Sequence, residues 1–158
     1  METSLGNLVP DSFAERAEFD FVLVGSCSIR SKEIGPVVSL KDLRTCFPYD
    51  YSLSRYSVKG LGLRNLFSRI MCPENLNNEG KCYQVNSRVR ALYNTTSRQF
   101  VSLKINDAEV TKDGLYTVCL QGYHFKNSLA NLNLSQEQLT AAYKAKLIST
   151  SAQDVLVE

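Results

Sequence analysis

The residues able to do chemistry in this 158-residue sequence sit in three short runs. "GSCSIRSKEIGP", residues 25–36, places Arg30 after a string of small residues. Backbone N–H groups in such a string approach an anion closely, and a guanidinium fork matches phosphate or carboxylate. "FPYDYS", residues 47–52, sets Tyr49 directly after Pro48, where a ring face can stack on a planar ligand. "GYHFKN", residues 122–127, carries three rings, Tyr123, His124 and Phe125, ahead of Lys126 and Asn127, enough for stacking plus polar contacts, with one ring expected in the core. Each run also has a plainer reading. Composition alone favours a solvated arginine at Arg30, and Tyr49 could equally close the edge of the core.

The machinery of hydrolysis is missing from the sequence. There is no G-x-S-x-G elbow, no P-loop and no H-E-x-x-H. His124 is the only histidine, so a two-histidine metal centre has no second ligand. Cys27, Cys46 and Cys119 lie in apolar patterns and read as reduced core thiols, which disfavours a Cys–His catalytic pair. Cys72 and Cys82 flank a polar loop, as a disulfide or half a metal site would, but too few other ligands exist to complete a metal site. No cofactor is therefore expected in this chain. Eighteen basic against 16 acidic residues leave a net charge of +2, too small a field to drive nucleic-acid binding, and no apolar run approaches membrane-spanning length. The N-terminal residues lack the basic and apolar regions of a secretory signal, and reduced-looking thiols favour the cytoplasm.

The elements that must position these runs follow from periodicity. "SLGNLVPDSFAERA" spaces Leu5, Leu8, Val9 and Phe13 as a helix face, and "FDFVLVG" reads as a buried strand. Ser39 with Asp42 forms a capping box for a short helix that Pro48 stops. A looser strand over "SLSRYSVKG" precedes a helix of about three turns with an apolar stripe at Leu63, Leu66, Phe67 and Ile70. "KCYQVN", "VRALYN" and "FVSLKIN" alternate, with turns at "NTTSR" and "NDAE", as an antiparallel meander with one wet face. "GLYTVCLQGY" is one more strand. Ser135 with Gln138 caps a helix expected to run through "EQLTAAYKAKL", and "TSAQDVLVE" suggests a final short helix. The order predicts one α+β domain with a mixed, largely antiparallel sheet and helices packed on it.

In order and content these motifs resemble the C-terminal domain of the 5'-nucleotidase and UDP-sugar hydrolase family. "ETSLGNLVPD" is similar to the run that opens that domain, "FDFVLVGSCSIRS" to its strand followed by N-G-G-G-I-R, and "LKDLRTCFPYD" to its D-L-x-x-x-x-P-F segment. "YSVKGLGLRNLF" and "LYTVCLQGYHFKN" complete the match nearly end to end, with GSxSIR, FPYD and GYHFKN marking a variant subfamily. The resemblance implies that Arg30 contacts the nucleotide and that Tyr49 is the first of two aromatics clamping the base. Gly25 stands where the family usually has an asparagine, and the second aromatic loop is replaced by "GYHFKN", so Phe125 and Tyr123 become candidates for the missing ring. Ser28, His124 and Asn127 complete the implied substrate-binding set. The resemblance further implies an N-terminal metallophosphoesterase domain, outside these residues, that holds divalent metal ions and all catalytic groups. The family includes exported members, so localisation stays open. The implied function is a domain holding the base and ribose of a nucleotide for hydrolysis; the alternative is a metabolite- or protein-binding module with no hydrolytic parent.

Overall fold

A computed structural model describes residues 4–76 and 82–158; Glu2, which begins the first motif, lies outside them. Helix α1, Ser4–Arg16, runs through Pro10 and buries Gly6, Val9, Pro10 and Phe13, one face at helical spacing. Strand β1, Phe21–Gly25, is buried along its whole length. A single 3-10 turn, Ser26–Ser28, follows it. Helix α2, Leu40–Cys46, starts at the Ser39/Asp42 capping box: Ser39 N–H donates to Asp42 Oδ2 (2.8 Å) and Asp42 N–H to Ser39 Oγ (3.2 Å). Hydrogen bonds to Asp42 Oδ2 from the Ser39 hydroxyl (2.5 Å) and then the Ser39 N–H hold the Asp42 carboxyl below its ordinary range.

Strand β2, Leu53–Lys59, leads straight into α3, Gly60–Ile70, and a short α4, Pro73–Leu76. No side chain caps α3. Its first amides, on Gly60 and Leu61, instead donate to the carbonyls of Gly114 and Lys112, both at 2.9 Å. The approach is close enough that a Cβ on Gly60 would lie 1.8 Å from the Thr111 carbonyl oxygen. Strands β3, Tyr83–Val85, β4, Val89–Asn94, β5, Gln99–Ile105, β6, Ala108–Glu109, and β7, Leu115–Gln121, come next. Asn106 and Asp107 turn β5 into β6 with positive φ at both residues, the two-residue hairpin geometry. The chain closes with α5, Gly122–Lys126, α6, Ser128–Leu132, α7, Gln136–Thr140, β8, Lys146–Ser149, and α8, Ala152–Val157.

The expected α+β architecture with a mostly antiparallel sheet is what the chain adopts. The main sheet runs β3-β1-β7-β2-β8, and only the β1–β7 pair is parallel. The apolar run of β1 is explained by its two covered faces. Phe21 and Leu23 join a core with α3, α6, α7 and the smaller sheet, whereas Val22 and Val24 join a second core with α1, α8 and Phe47, which follows α2. Asp20 and Thr117 lock the parallel pair at its start. Asp20 N–H donates to Thr117 Oγ1 (3.0 Å), and Thr117 N–H and Oγ1 donate to Asp20 Oδ2 (2.7 and 2.9 Å).

Three expectations are corrected. The meander divides: β4, β5 and β6 form a separate three-stranded sheet, while β3 pairs antiparallel with β1, because that edge of the buried strand has backbone groups to satisfy. The helix after Ser135 stops at Thr140, and Lys146–Ser149 is a strand on the outer edge of β2 with Ile148 packed in the second core. A longer helix would have left that edge open. "GYHFK" is a helical turn rather than the end of a strand.

The contact at Gly60 sets a stability test. Gly60→Ala pushes a methyl into backbone and should cost at least ~2 kcal/mol, while Gly35→Ala, which faces open space, should stay within about 0.5 kcal/mol. Urea melts of the two variants check this, and equal midpoints would refute the close approach.

Candidate functional site

Parallel pairing brings the ends of β1 and β7 to one edge of the sheet, and antiparallel β2 begins there too, with Leu53 opposite Gln121. Everything that follows β1 and β7 or precedes β2 therefore meets in space. A pocket of about 220 Å3 lies at this junction. Cys27 and Ser28 of the 3-10 turn, Tyr49 and Tyr51 of the loop before β2, and Gln121, Tyr123 and His124 of the β7–α5 junction line it.

Each wall is held from behind. Ser26 N–H donates to the Cys82 carbonyl (2.9 Å) and Ser26 Oγ accepts from Gln84 Nε2 (3.1 Å), tying the 3-10 turn to β3. Arg30 N–H donates to the Cys46 carbonyl at the end of α2 (2.7 Å). The tyrosine loop is fixed from two sides. Asp50 Oδ1 accepts from Ser151 Oγ (2.7 Å) and Gln153 N–H (3.0 Å) at the start of α8, and Gln121 Nε2 donates to the Tyr49 carbonyl (3.3 Å). Gly122 N–H donates to the Ser52 carbonyl (3.0 Å), closing the loop against α5.

The aromatic groups form a continuous row. Arg30 Nη2 donates to the Tyr49 hydroxyl, with the guanidinium carbon 5.4 Å from the Tyr49 ring centre. Tyr49 and Tyr51 lie with centroids 6.5 Å apart and planes within 12°, and Tyr51 is 6.0 Å from Tyr123. Tyr123 meets His124 edge-on at 5.4 Å, and Tyr83 meets His124 from the other side at 5.5 Å. Burial pushes the His124 imidazole down to about 4 and the Tyr83 phenol up to about 12, so both are neutral at physiological pH.

Of the residues picked from the sequence, the fold brings Tyr49, Ser28, Tyr123 and His124 into the pocket wall, with Arg30 beside Tyr49. Phe125 does not line this wall: its ring stacks on Tyr56 at 4.5 Å and packs against the core, because successive residues of a helical turn point apart. Asn127 ends α5 with its Nδ2 donating to the Tyr123 carbonyl (2.9 Å) and lines no wall. Gly25 has ordinary extended geometry (φ −63°, ψ 129°), so its glycine answers to space. A Cβ there would lie 3.1 Å from His124 Cε1 and 3.3 Å from Nε2. The sequence reading missed Tyr51, Gln121 and Cys27. Tyr51 was detectable, since it follows Tyr49 by two residues in the same loop.

None of the five cysteines is in a disulfide; Cys82 Sγ lies 2.8 Å from the Leu76 carbonyl oxygen. Burial raises the Cys119 thiol to about 12, which keeps it unreactive. Among the described residues no three His, Cys, Asp or Glu side chains gather as metal ligands.

The fold and site define an α+β domain with an aromatic pocket where β1 and β7 end and β2 begins. The chain belongs to the 5'-nucleotidase C-terminal domain family, whose sequence profile matches residues 1–130. No curated protein matches the sequence closely enough to count. Among solved structures, the 5'-nucleotidase precursor of Thermus thermophilus is similar at TM-score 0.77 and 16% identity, over 98% of this chain and 31% of that one. The NAD nucleotidase of Haemophilus influenzae gives TM-score 0.74 and 11% identity, over 97% of this chain and 29% of that one. A sulfate thiohydrolase of Thermus thermophilus gives 0.64 and 12%, over 98% and 29%. The chain thus spans about three tenths of the length of these proteins.

The buried imidazole makes stability depend on pH. Between pH 6.5 and about 4 the unfolded chain binds a proton that the folded chain does not, so stability rises with pH and is lost as pH falls through this window. The full depression corresponds to roughly 3 kcal/mol. His124→Gln should flatten that part of the stability profile. The single histidine gives one imidazole signal, and an NMR titration midpoint near 6.5 would refute its burial.

Proposed function

We propose that this chain is the substrate-binding domain of a 5'-nucleotidase-type phosphohydrolase and holds the base and ribose of a nucleotide. The observation that carries this is the convergence of Tyr49, Tyr51 and Tyr123, from two separate segments, on one pocket at the sheet edge, with Arg30 fixed beside it. Ring faces offer stacking to any planar base. At about 220 Å3 the pocket falls below the ~300 Å3 of sites that enclose a whole drug-sized ligand, so it suits a ring system with the rest of the nucleotide outside. Arg30, with its guanidinium over the Tyr49 ring, would supply the positive charge for the ribose and phosphate side.

On this reading the domain binds and orients, and hydrolysis belongs to a separate N-terminal metallophosphoesterase domain in the longer protein. Divalent metals there would clamp the attacking and leaving oxygens of the phosphate. This chain's contribution is positional: a base held by the tyrosines fixes where the phosphate can reach, and fixed geometry is worth several kcal/mol of barrier. Family membership supports this division, as does the relatives' threefold greater length.

Two tests follow. Adenosine or AMP added to the 158-residue chain should move the NMR signals of residues 26–30, 49–51 and 121–124 at millimolar concentration; silence in all three segments overturns the reading. In the full-length protein, Tyr49→Ala should raise KM several-fold with kcat nearly kept, and Arg30→Ala should lower kcat/KM by roughly 10- to 100-fold. Wild-type kinetics in both variants would sink the site assignment.

A further inference from the structure

The pocket contains one group that the stacking model does not use. His124 is 5% exposed, lines the cavity, and makes no hydrogen bond among the described residues; its Nδ1 is buried without a partner. A buried imidazole nitrogen left unmatched is costly, and buried polar atoms of native proteins are nearly all matched. The same residue lines the pocket, so a ligand against which the ring settles supplies the missing partner.

The surroundings restrict what that partner can be. The imidazole meets Tyr123 and Tyr83 edge-on, and a Cβ on residue 25 would crowd it at 3.1 Å. The other wall residues are Cys27, Ser28, Gln121 and tyrosines, none carrying a positive charge. The cation of the site, Arg30, sits outside the wall against Tyr49. A phosphate would enter this cavity with no charge to meet it, whereas an uncharged ring bearing N–H or ring-nitrogen groups would find three aromatic faces and one hydrogen-bonding imidazole.

We propose that His124 is the specificity-determining polar contact of this pocket, hydrogen-bonding through its imidazole to the edge of an uncharged heteroaromatic base laid against the tyrosines. This rests on the nucleotide-binding reading above and adds the group that distinguishes one ring edge from another. Gly25 and His124 then act as a pair, since any side chain at residue 25 displaces the imidazole.

The test uses the 158-residue chain and its single histidine. Adenosine should shift one imidazole ring-nitrogen signal by several ppm, while ribose 5-phosphate at equal concentration should not; this readout needs no variant. His124→Leu should weaken adenosine binding about tenfold, the loss of one hydrogen bond to a buried polar atom. His124→Asn, which keeps a polar atom near the place of Nδ1, should stay within about threefold of wild type. Gly25→Ala, which crowds the ring by a few tenths of an ångström, should weaken binding by a few-fold. If His124→Leu binds adenosine as wild type does while the tyrosine signals still move, the proposal falls and the nucleotide-binding reading stands. If ribose 5-phosphate moves the imidazole as adenosine does, the cavity holds the sugar phosphate and the proposal falls. If no nucleoside moves any tyrosine signal, both fall together.

Discussion

The parallel pairing of β1 with β7 is the constraint on which the rest of the structure depends. The two strands lie about 95 residues apart in sequence, and their start is clamped by the reciprocal hydrogen bonds of Asp20 and Thr117. Antiparallel neighbours would have sent the ends of β1 and β7 to opposite edges. Because they run the same way, the 3-10 turn after Gly25 and the helical turn after Gln121 emerge side by side, and β2, antiparallel to β7, brings its preceding loop to the same place. A pocket at the ends of sheet strands is the usual place for a ligand where connections leave in diverging directions.

Packing behind the pocket decides which groups face it. The helical turn Gly122–Lys126 sends three consecutive rings in three directions: Phe125 onto Tyr56 in the core, His124 into the wall, and Tyr123 to the opening, where it remains 47% exposed. Burial keeps His124 neutral, and the Tyr83 phenol beside it is uncharged at physiological pH in any case, so this side of the pocket is polar yet uncharged. Charge sits at the mouth, where Arg30 is held by the Tyr49 hydroxyl and ring. An uncharged, largely aromatic interior with a cation beside it separates the handling of a ring from the handling of an anion.

At 11–16% identity the likeness to solved 5'-nucleotidases and a thiohydrolase resides in the fold. Such a scaffold tolerates exchange at the site when volumes are exchanged together. Glycine at residue 25 and histidine at residue 124 are matched in volume, since a Cβ on residue 25 would lie 3.1 Å from the imidazole. Fold and substrate are thus separable, and it is the wall residues that carry the functional argument.

Sequence alone determined what depends on neighbours within a turn or two. The capping boxes at Ser39/Asp42 and Ser135/Gln138 formed as their spacing required, the stripe of Leu63, Leu66, Phe67 and Ile70 became the buried face of α3, and the apolar run of β1 became a buried strand. Arg30, Tyr49 and the "GYHFKN" run were also legible as candidates, because their residue types carry the chemistry. Only the tertiary structure decided that Tyr123 and not Phe125 faces the pocket, that Tyr51 and Gln121 join it, that β3 leaves the meander and that Lys146–Ser149 becomes an edge strand. The physical reason is common to all four. Each outcome is set by contacts between segments tens of residues apart, made available by strand pairing and by buried volume, and local periodicity carries no record of them.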